Sequence, residues 1–225
     1  MHLRREGRHL PLEGFEGANM ANEQFSGSKT PKIDAIKKYL NEHGVKFVEG
    51  SDDTILIPYG MKNTNLVATI YVTAAGGTQF LVNGRYYVEL EEELEGGVHA
   101  NKVWQAKNDA EFMRATEFVT ELFDGPIMHY SIDFAHKTVG CEATIIECLW
   151  NEMMGHYKNF DIAIETSLDL VRLPLVISGQ CFDAVLHGAD VSKEVERARR
   201  LIEEEEKKAI ADKIIRRLKD ENGGE

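Results

Sequence analysis

Apolar residues first fall into a regular pattern at Ile33, Ile36, Tyr39 and Leu40, which share one stripe at helical spacing. Thr30 is a good N-cap, Pro31 suits the first helical position, and Gly44 is a typical C′ residue, so a helix is predicted between them. The pattern then changes. VKFVE (45–49), TILIPYG (54–60), LVATIYVT (66–73) and TQFLV (78–82) are rich in β-branched and aromatic residues and read as short strands. Turn clusters SDD, KNTN and AAGG separate them. Pro58 lacks an amide donor, which favours a sheet edge or a strand end there. Asn83-Gly84 predicts a tight hairpin turn, with RYYVEL (85–90) as the return strand.

Helical spacing returns after Asn108. Asn108 reads as an N-cap with Glu111 completing a box-like arrangement, and Phe112, Ala115, Phe118, Val119 and Leu122 form the buried face. Asp124-Gly125-Pro126 ends that helix. Two strands follow, IMHYSIDF (127–134) and TVGCEATIIEC (138–148), joined by a short Ala-His-Lys turn. In the first, Met128, Tyr130, Ile132 and Phe134 are expected to face the core. A third helix is predicted from about Lys158 to Leu173, stopped by Pro174, with LPLVIS (173–178) as a last short strand. Residues 179–191 read as a linker. From Ser192 to about Asp220 runs a helix that is nearly all charge, with Glu196–Arg200, Glu203–Lys207 and Glu204–Lys208 at i,i+4. Its apolar positions are too sparse around Glu203–Lys208 for a full heptad seam, so partial docking is expected.

Charge is unevenly distributed along the 225 residues. Residues 31–191 hold 24 acidic and 12 basic side chains and so carry essentially the whole formal charge of −12. An acidic body repels phosphate backbones and disfavours nucleic-acid binding, although a solubilising surface has the same appearance. The run ELEEELEGG (89–97) reads as a solvated loop or strand end, or as an acidic docking patch for a basic partner. It lacks the spaced Asp/Asn ligands and central glycine of a calcium loop. Residues 1–29, rich in Gly, Glu and Arg without periodicity, read as a disordered leader in which Met20 resembles a natural start. No apolar run approaches the ~18–20 residues of a membrane span, and the basic N-terminus is not followed by a signal-peptide core. Three scattered cysteines, Cys141, Cys148 and Cys181, imply reduced thiols and a cytoplasmic location.

The chemistry-bearing motifs are missing. There is no Walker loop, dinucleotide-binding glycine fingerprint, G-x-S-x-G elbow, paired C-x-x-C or H-E-x-x-H. His129, His136, Cys141 and Cys148 make a poor zinc set, because close ligand pairs are absent and two cysteines seven apart on one strand face opposite ways. A cysteine nucleophile, Cys141 or Cys148 with His129 or His136, competes with the ordinary role of cysteine on an apolar strand, which is core packing. Neither a metal nor a cofactor is expected, and no catalytic residue is assigned.

The order helix, strands, helix, two strands, helix is similar to the YbjN family, whose fold resembles the type III secretion chaperones. EFMRATEFVTELFDGPIMHYSIDFAHKTVGCEATIIECLW and NFDIAIETSLDLV carry most of the resemblance, over residues 111–173, and PKIDAIKKYLNEHGVKFVEGSDDTILIPY resembles the family's opening elements. The extra Asn83-Gly84 hairpin, the acidic loop and the charged C-terminal helix depart from it. The resemblance spans about residues 31–177. Element order predicts an α+β domain over 30–178, a twisted antiparallel sheet with helices packed on one face as in the type III secretion chaperones, followed by an appended helix at 192–225. The resemblance implies a non-enzymatic, homodimeric binding module, chaperone-like or regulatory, that holds a protein segment. Two other readings remain: a small-ligand binder or enzyme with a pocket near His129, Asp133, His136 and Trp150, and a structural subunit assembling through the C-terminal helix.

Overall fold

The structure is a computed structural model that describes residues 33–222, except 51–52, 62–63, 76–78, 89–91, 95–97, 101, 126 and 158–159. In chain order the elements are α1 (Ile33–Glu42), β1 (Val48–Glu49), β2 (Thr54–Gly60), β3 (Leu66–Ala75), β4 (Gln79–Val88), β5 (Glu92–Leu94), β6 (Val98–Ala100), α2 (Asp109–Leu122), β7 (Met128–Asp133), β8 (Thr138–Ile146), α3 (Glu147–Tyr157), α4 (Phe160–Leu186) and α5 (Val191–Asn222). Six strands form one antiparallel sheet in the order β1-β2-β3-β4-β8-β7, and β5 pairs with β6. Helices pack on one face of this sheet, α4 over β3, β4 and β8 and α2 over β7 and β8, with α5 laid across α2 and α4. The fold is therefore α+β, as the pattern predicts.

The two-residue period of a strand sorts the sheet into two faces. Across five strands, Ile57, Ile70, Gly84, Cys141 and Tyr130 oppose one another and point toward the helices. One residue along, Leu56, Tyr71, Asn83, Glu142 and His129 form the matching row on the opposite face. The core fills the helical side: Ile36, Leu40, Ile55, Ile57, Ile70, Phe80, Val82, Phe118, Leu175 and Phe182 are all fully buried.

The first two helices follow their sequence signals. Ile33, Ile36, Tyr39 and Leu40 are buried, and Gly44 takes the left-handed φ of +66° that a C′ glycine supplies without strain. Thr30 and Pro31 lie outside the described residues. On α2, Asn108 Oδ1 accepts from the Glu111 amide at 2.9 Å, while Glu111 Oε2 accepts from the Lys107 amide at 2.6 Å. Asn108→Ala is expected to cost about 1 kcal/mol of unfolding free energy, measured by urea titration. An unchanged midpoint would remove the cap from the account.

Five expectations are corrected. Asn83-Gly84 is no turn: both lie inside β4, which runs unbroken from Gln79 to Val88 between β3 and β8. A Cβ at Gly84 would stand 2.5 Å from Val171 Cγ1 and 2.6 Å from Leu175 Cδ2, so glycine is required for close approach of α4, not for chain reversal. Pro174 does not end a helix. It is buried within α4, whose apolar residues Ile164, Leu168, Val171, Leu175, Phe182 and Val185 carry helical spacing straight across it, so 173–178 is not a strand and 179–191 is not a linker. Tertiary burial along that stripe outweighs the loss of one amide donor. The chain turns instead at Gly188, φ +95°, and Asp190 Oδ1 caps α5 by accepting from the Lys193 amide at 3.0 Å. Finally, β8 stops at Ile146, so Cys148 belongs to α3, a helix that the strand-like run 138–148 conceals.

Two smaller differences concern the edges. Only Val48–Glu49 of the 45–49 segment pairs with β2, opposite Leu56 and Ile55, which leaves Pro58 on the outer edge as expected. On β7, Met128, Tyr130 and Ile132 do face the helical side, opposite Ala143, Cys141 and Val139, but at the end of the sheet they are only partly covered. The predicted leader 1–29 falls outside the described residues, as does much of the acidic run 89–97.

Candidate binding surface

The face of the sheet opposite the helices has the unusual chemistry. Its central row runs Tyr71 (β3), Asn83 (β4), Glu142 (β8) and His129 (β7), and the adjoining row runs Thr69, Arg85, Gly140 and Ser131. Glu142 is the hub: Asn83 Nδ2 donates to its Oε1 at 2.6 Å, Arg85 Nη2 lies 3.9 Å from the same oxygen, and His129 Nε2 lies 3.4 Å from Oε2. A Cβ at Gly140 would stand 2.9 Å from Ser131 Oγ and 3.0 Å from Arg85 Cγ. Glycine there lets the Arg85 side chain lie across the sheet toward Glu142.

The rings of Tyr71 and Tyr87 approach to 6.0 Å at a tilt of 44°, across the row that holds Thr69 and Arg85, and Thr69 beneath them is only 4% exposed. Burial raises the Tyr71 phenol above its ordinary range, with the Arg85 guanidinium pulling the other way. Three buried polar atoms of this face, Asn83 Oδ1, Tyr87 Oη and Ser131 Oγ, have no hydrogen-bond partner among the described residues. Such atoms are ordinarily satisfied by protein, water or ligand, since leaving one bare costs about 1–3 kcal/mol.

The residues singled out from sequence are not gathered. His129 is on this face. Trp150 is buried on the other side of the sheet, edge-on to Phe80 at 5.8 Å and to Phe160 at 5.7 Å. His136 sits in the exposed β7–β8 turn, where its Nδ1 is 2.7 Å from Asp133 Oδ2 and Asp133 Oδ1 also accepts the amides of Ala135 and His136. Those bonds, led by the His136 side chain, hold the Asp133 carboxyl below the usual range. His129, His136 and Trp150 are thus not brought together.

The cysteines are equally dispersed. Cys141 faces the core, fully buried, and burial pushes its thiol well above the range of a nucleophile, while His129 lies on the opposite face. Cys148 is exposed on α3, and Cys181 is buried on α4 with its thiol pushed up to about 11 by burial. Among the described residues, no three His, Cys, Asp or Glu side chains converge in a metal-binding geometry.

Sequence reasoning missed Asn83, Arg85, Glu142, Tyr71 and Tyr87. The signal lay in phase. Asn83, Arg85 and Tyr87 alternate on one strand once Asn83-Gly84 is not spent on a turn, and Glu142 is a lone charge inside an apolar strand. A shallow depression of about 600 Å³ lined by Asn41, Val45, Phe47 and Pro58 lies far along the sheet, at the end of α1. No helix among the described residues is long and apolar enough to cross a membrane. Comparison of the chain with family models, curated proteins and solved structures returns no match.

Proposed function

We propose that this protein is a non-enzymatic binding module that holds a segment of a protein partner on the helix-free face of its sheet. The observation that carries the reading is the unshared chemistry of that face. Tyr71, Arg85, Glu142 and His129 lie outside the core, yet they form an ordered aromatic and charged platform, with the buried Tyr87 ring packed beside Tyr71. Tyrosine and arginine on rigid strands are favoured anchors for protein recognition, because they add contact area at small entropic cost. The acidic body selects for basic or amphipathic segments, which it attracts before contact. The similarity of residues 111–173 to the YbjN family supports the same class of function, in cytoplasmic protein acting as a homodimer.

The pocket-based reading is weaker, since Trp150 and His129 are on opposite sides of the sheet. Assembly through the C-terminal helix is weaker too, because Val191, Val195 and Ala198 of α5 are already buried within the chain and Arg199 Nη2 donates to the Glu121 carbonyl at 2.6 Å.

Fluorescence anisotropy tests the proposal with a panel of 15-residue basic amphipathic peptides and acidic counterparts. Basic members are expected to bind, and Tyr71→Ala with Arg85→Ala to weaken them about tenfold or more while the melting curve stays cooperative. Absence of binding across the panel, or binding indifferent to both substitutions, would overturn it.

A further inference from the structure

The two edges of the main sheet differ. On one side β1 covers only Ile55 and Leu56, and Pro58 removes a donor from the rest of β2. Proline on an edge is a standard obstacle to strand addition. On the other side β7 ends the sheet with six residues, MHYSID, that include neither proline nor lysine. Exposed apolar side chains also gather on and beside it. Of the large apolar residues exposed on the described surface, Phe134 at 72%, Met113 at 62% and Tyr130 at 39% lie at this end of the molecule. Phe134 packs edge-on against Phe112, 5.6 Å between centroids, and Met113 is the next residue of α2. The result is an apolar strip beside a strand whose outer edge has no partner among the described residues.

We propose that a second copy of this chain pairs antiparallel along β7, with Ser131 facing Ser131 of the partner subunit, so that the two sheets continue into one. This deepens the homodimer part of the reading above and names its seam. A two-fold axis normal to the sheet keeps both helical faces on one side, so opposed residues must share a face and the sum of their numbers must be even. Register about Ser131 then sets Met128 against the partner's Phe134 and Tyr130 against the partner's Ile132, apolar on apolar on the helical side. On the other face it sets His129 against the partner's Asp133, so a carboxylate meets an imidazole. Sliding by the smallest permitted step, to an axis at Tyr130, sets Ile127 against the partner's Asp133 and His129 against the partner's Ser131. The charge match is lost and an apolar residue faces a carboxylate. The opposite step, to an axis at Ile132, sets His129 against the partner's Ala135, so of these three registers only the one about Ser131 pairs the imidazole with a carboxylate. The two helix-free faces meet across the seam, and the binding platform becomes continuous between copies.

Sedimentation velocity on the full chain across micromolar concentrations is expected to show a species of twice 25.4 kDa. Phe134→Lys should raise the dissociation constant about tenfold or more, since lysine on an edge strand opposes pairing. A cross-link identifies the register. In a Cys148→Ser background, which removes the exposed native thiol, Ser131→Cys should form a disulfide dimer under mild oxidation. Directly opposed Cα atoms are about 4.5–5.5 Å apart, inside disulfide reach. His129→Cys should not, because that residue and its symmetry mate would be roughly 13 Å apart along the strands. Monomer at every concentration, a dimer that does not cross-link at position 131, or cross-linking as fast at His129→Cys or Tyr130→Cys would overturn the seam. The peptide titration decides the other reading separately: peptides that bind the Phe134→Lys monomer sustain the platform without the dimer, and an intact cross-linked dimer that binds none sinks the platform alone.

Discussion

Phe182→Ala is expected to remove about 3–5 kcal/mol of unfolding free energy, the range for truncating a buried phenylalanine. Phe182 is fully buried on α4 and lies in the middle of an aromatic cluster. Its ring stacks on Tyr86 at 4.2 Å and 9°, meets Trp104 edge-on at 5.2 Å and 80°, and tilts against Phe118 at 5.7 Å. Those partners come from β4, the segment before α2, and α2 itself, so one side chain ties four parts of the chain together. Nearby, Tyr86 Oη and Ser178 Oγ are hydrogen-bonded at 2.5 Å and the Trp104 amide donates to the Tyr86 carbonyl at 3.1 Å, which makes collapse into the cavity difficult. A cavity that cannot collapse gives the upper part of the range. Against a typical total of about 5–15 kcal/mol, the variant would be marginal at 37 °C. Urea unfolding followed by tryptophan fluorescence measures the loss. A change below about 1 kcal/mol would mean that α4 is not docked on β4 as described.

Gly84→Val is expected to cost about 3 kcal/mol, and Gly84→Ala about 1–2, by overpacking the same interface. Local preference predicts the opposite sign, since glycine inside a strand is worth roughly 0.5–1 kcal/mol less than alanine. The distances decide between the two effects. A Cβ 2.5 Å from Val171 Cγ1 and 2.6 Å from Leu175 Cδ2 forces something to move, and both neighbours are fully buried side chains of α4. A double-mutant cycle separates strain from propensity. Leu175→Ala alone should destabilise, but combined with Gly84→Val it should cost clearly less than the sum, because the new methyls enter the space left behind. Strict additivity, or stabilisation by Gly84→Ala, would show that helix and strand are further apart than described.

These two positions mark the boundary of what local pattern conveys. The stripe Ile33, Ile36, Tyr39, Leu40 and the Asn108–Glu111 cap are short-range features whose energetics are complete within one turn or two, and both appear as expected. The alternation in β2 and β3 likewise specified strands, and the overall α+β class followed from element order. Asn83-Gly84 and Pro174 are different. Each has a strong local preference, for a turn and for a helix stop, that is smaller than the burial of the surfaces it would interrupt. Gly84 is glycine because a helix some 90 residues later in the chain lies on it, which no window around residue 84 contains.

The platform was illegible for the same reason. Glu142, Asn83, Arg85 and His129 are scattered in sequence and become neighbours only through the strand order β4-β8-β7, with register placing Asn83, Glu142 and His129 in one row. Of these only His129 stands out in the sequence, and there it groups with Trp150, which the sheet separates from it. The sequence by itself determined the local elements, the acidic body and the class of the fold, because propensity, capping and charge act over a few residues. Tertiary structure decided the length of α4, the continuity of β4, which strand became an edge and which side chains share a face. Those depend on strand pairing and helix docking, where contacts distant in sequence outweigh what each short segment prefers alone.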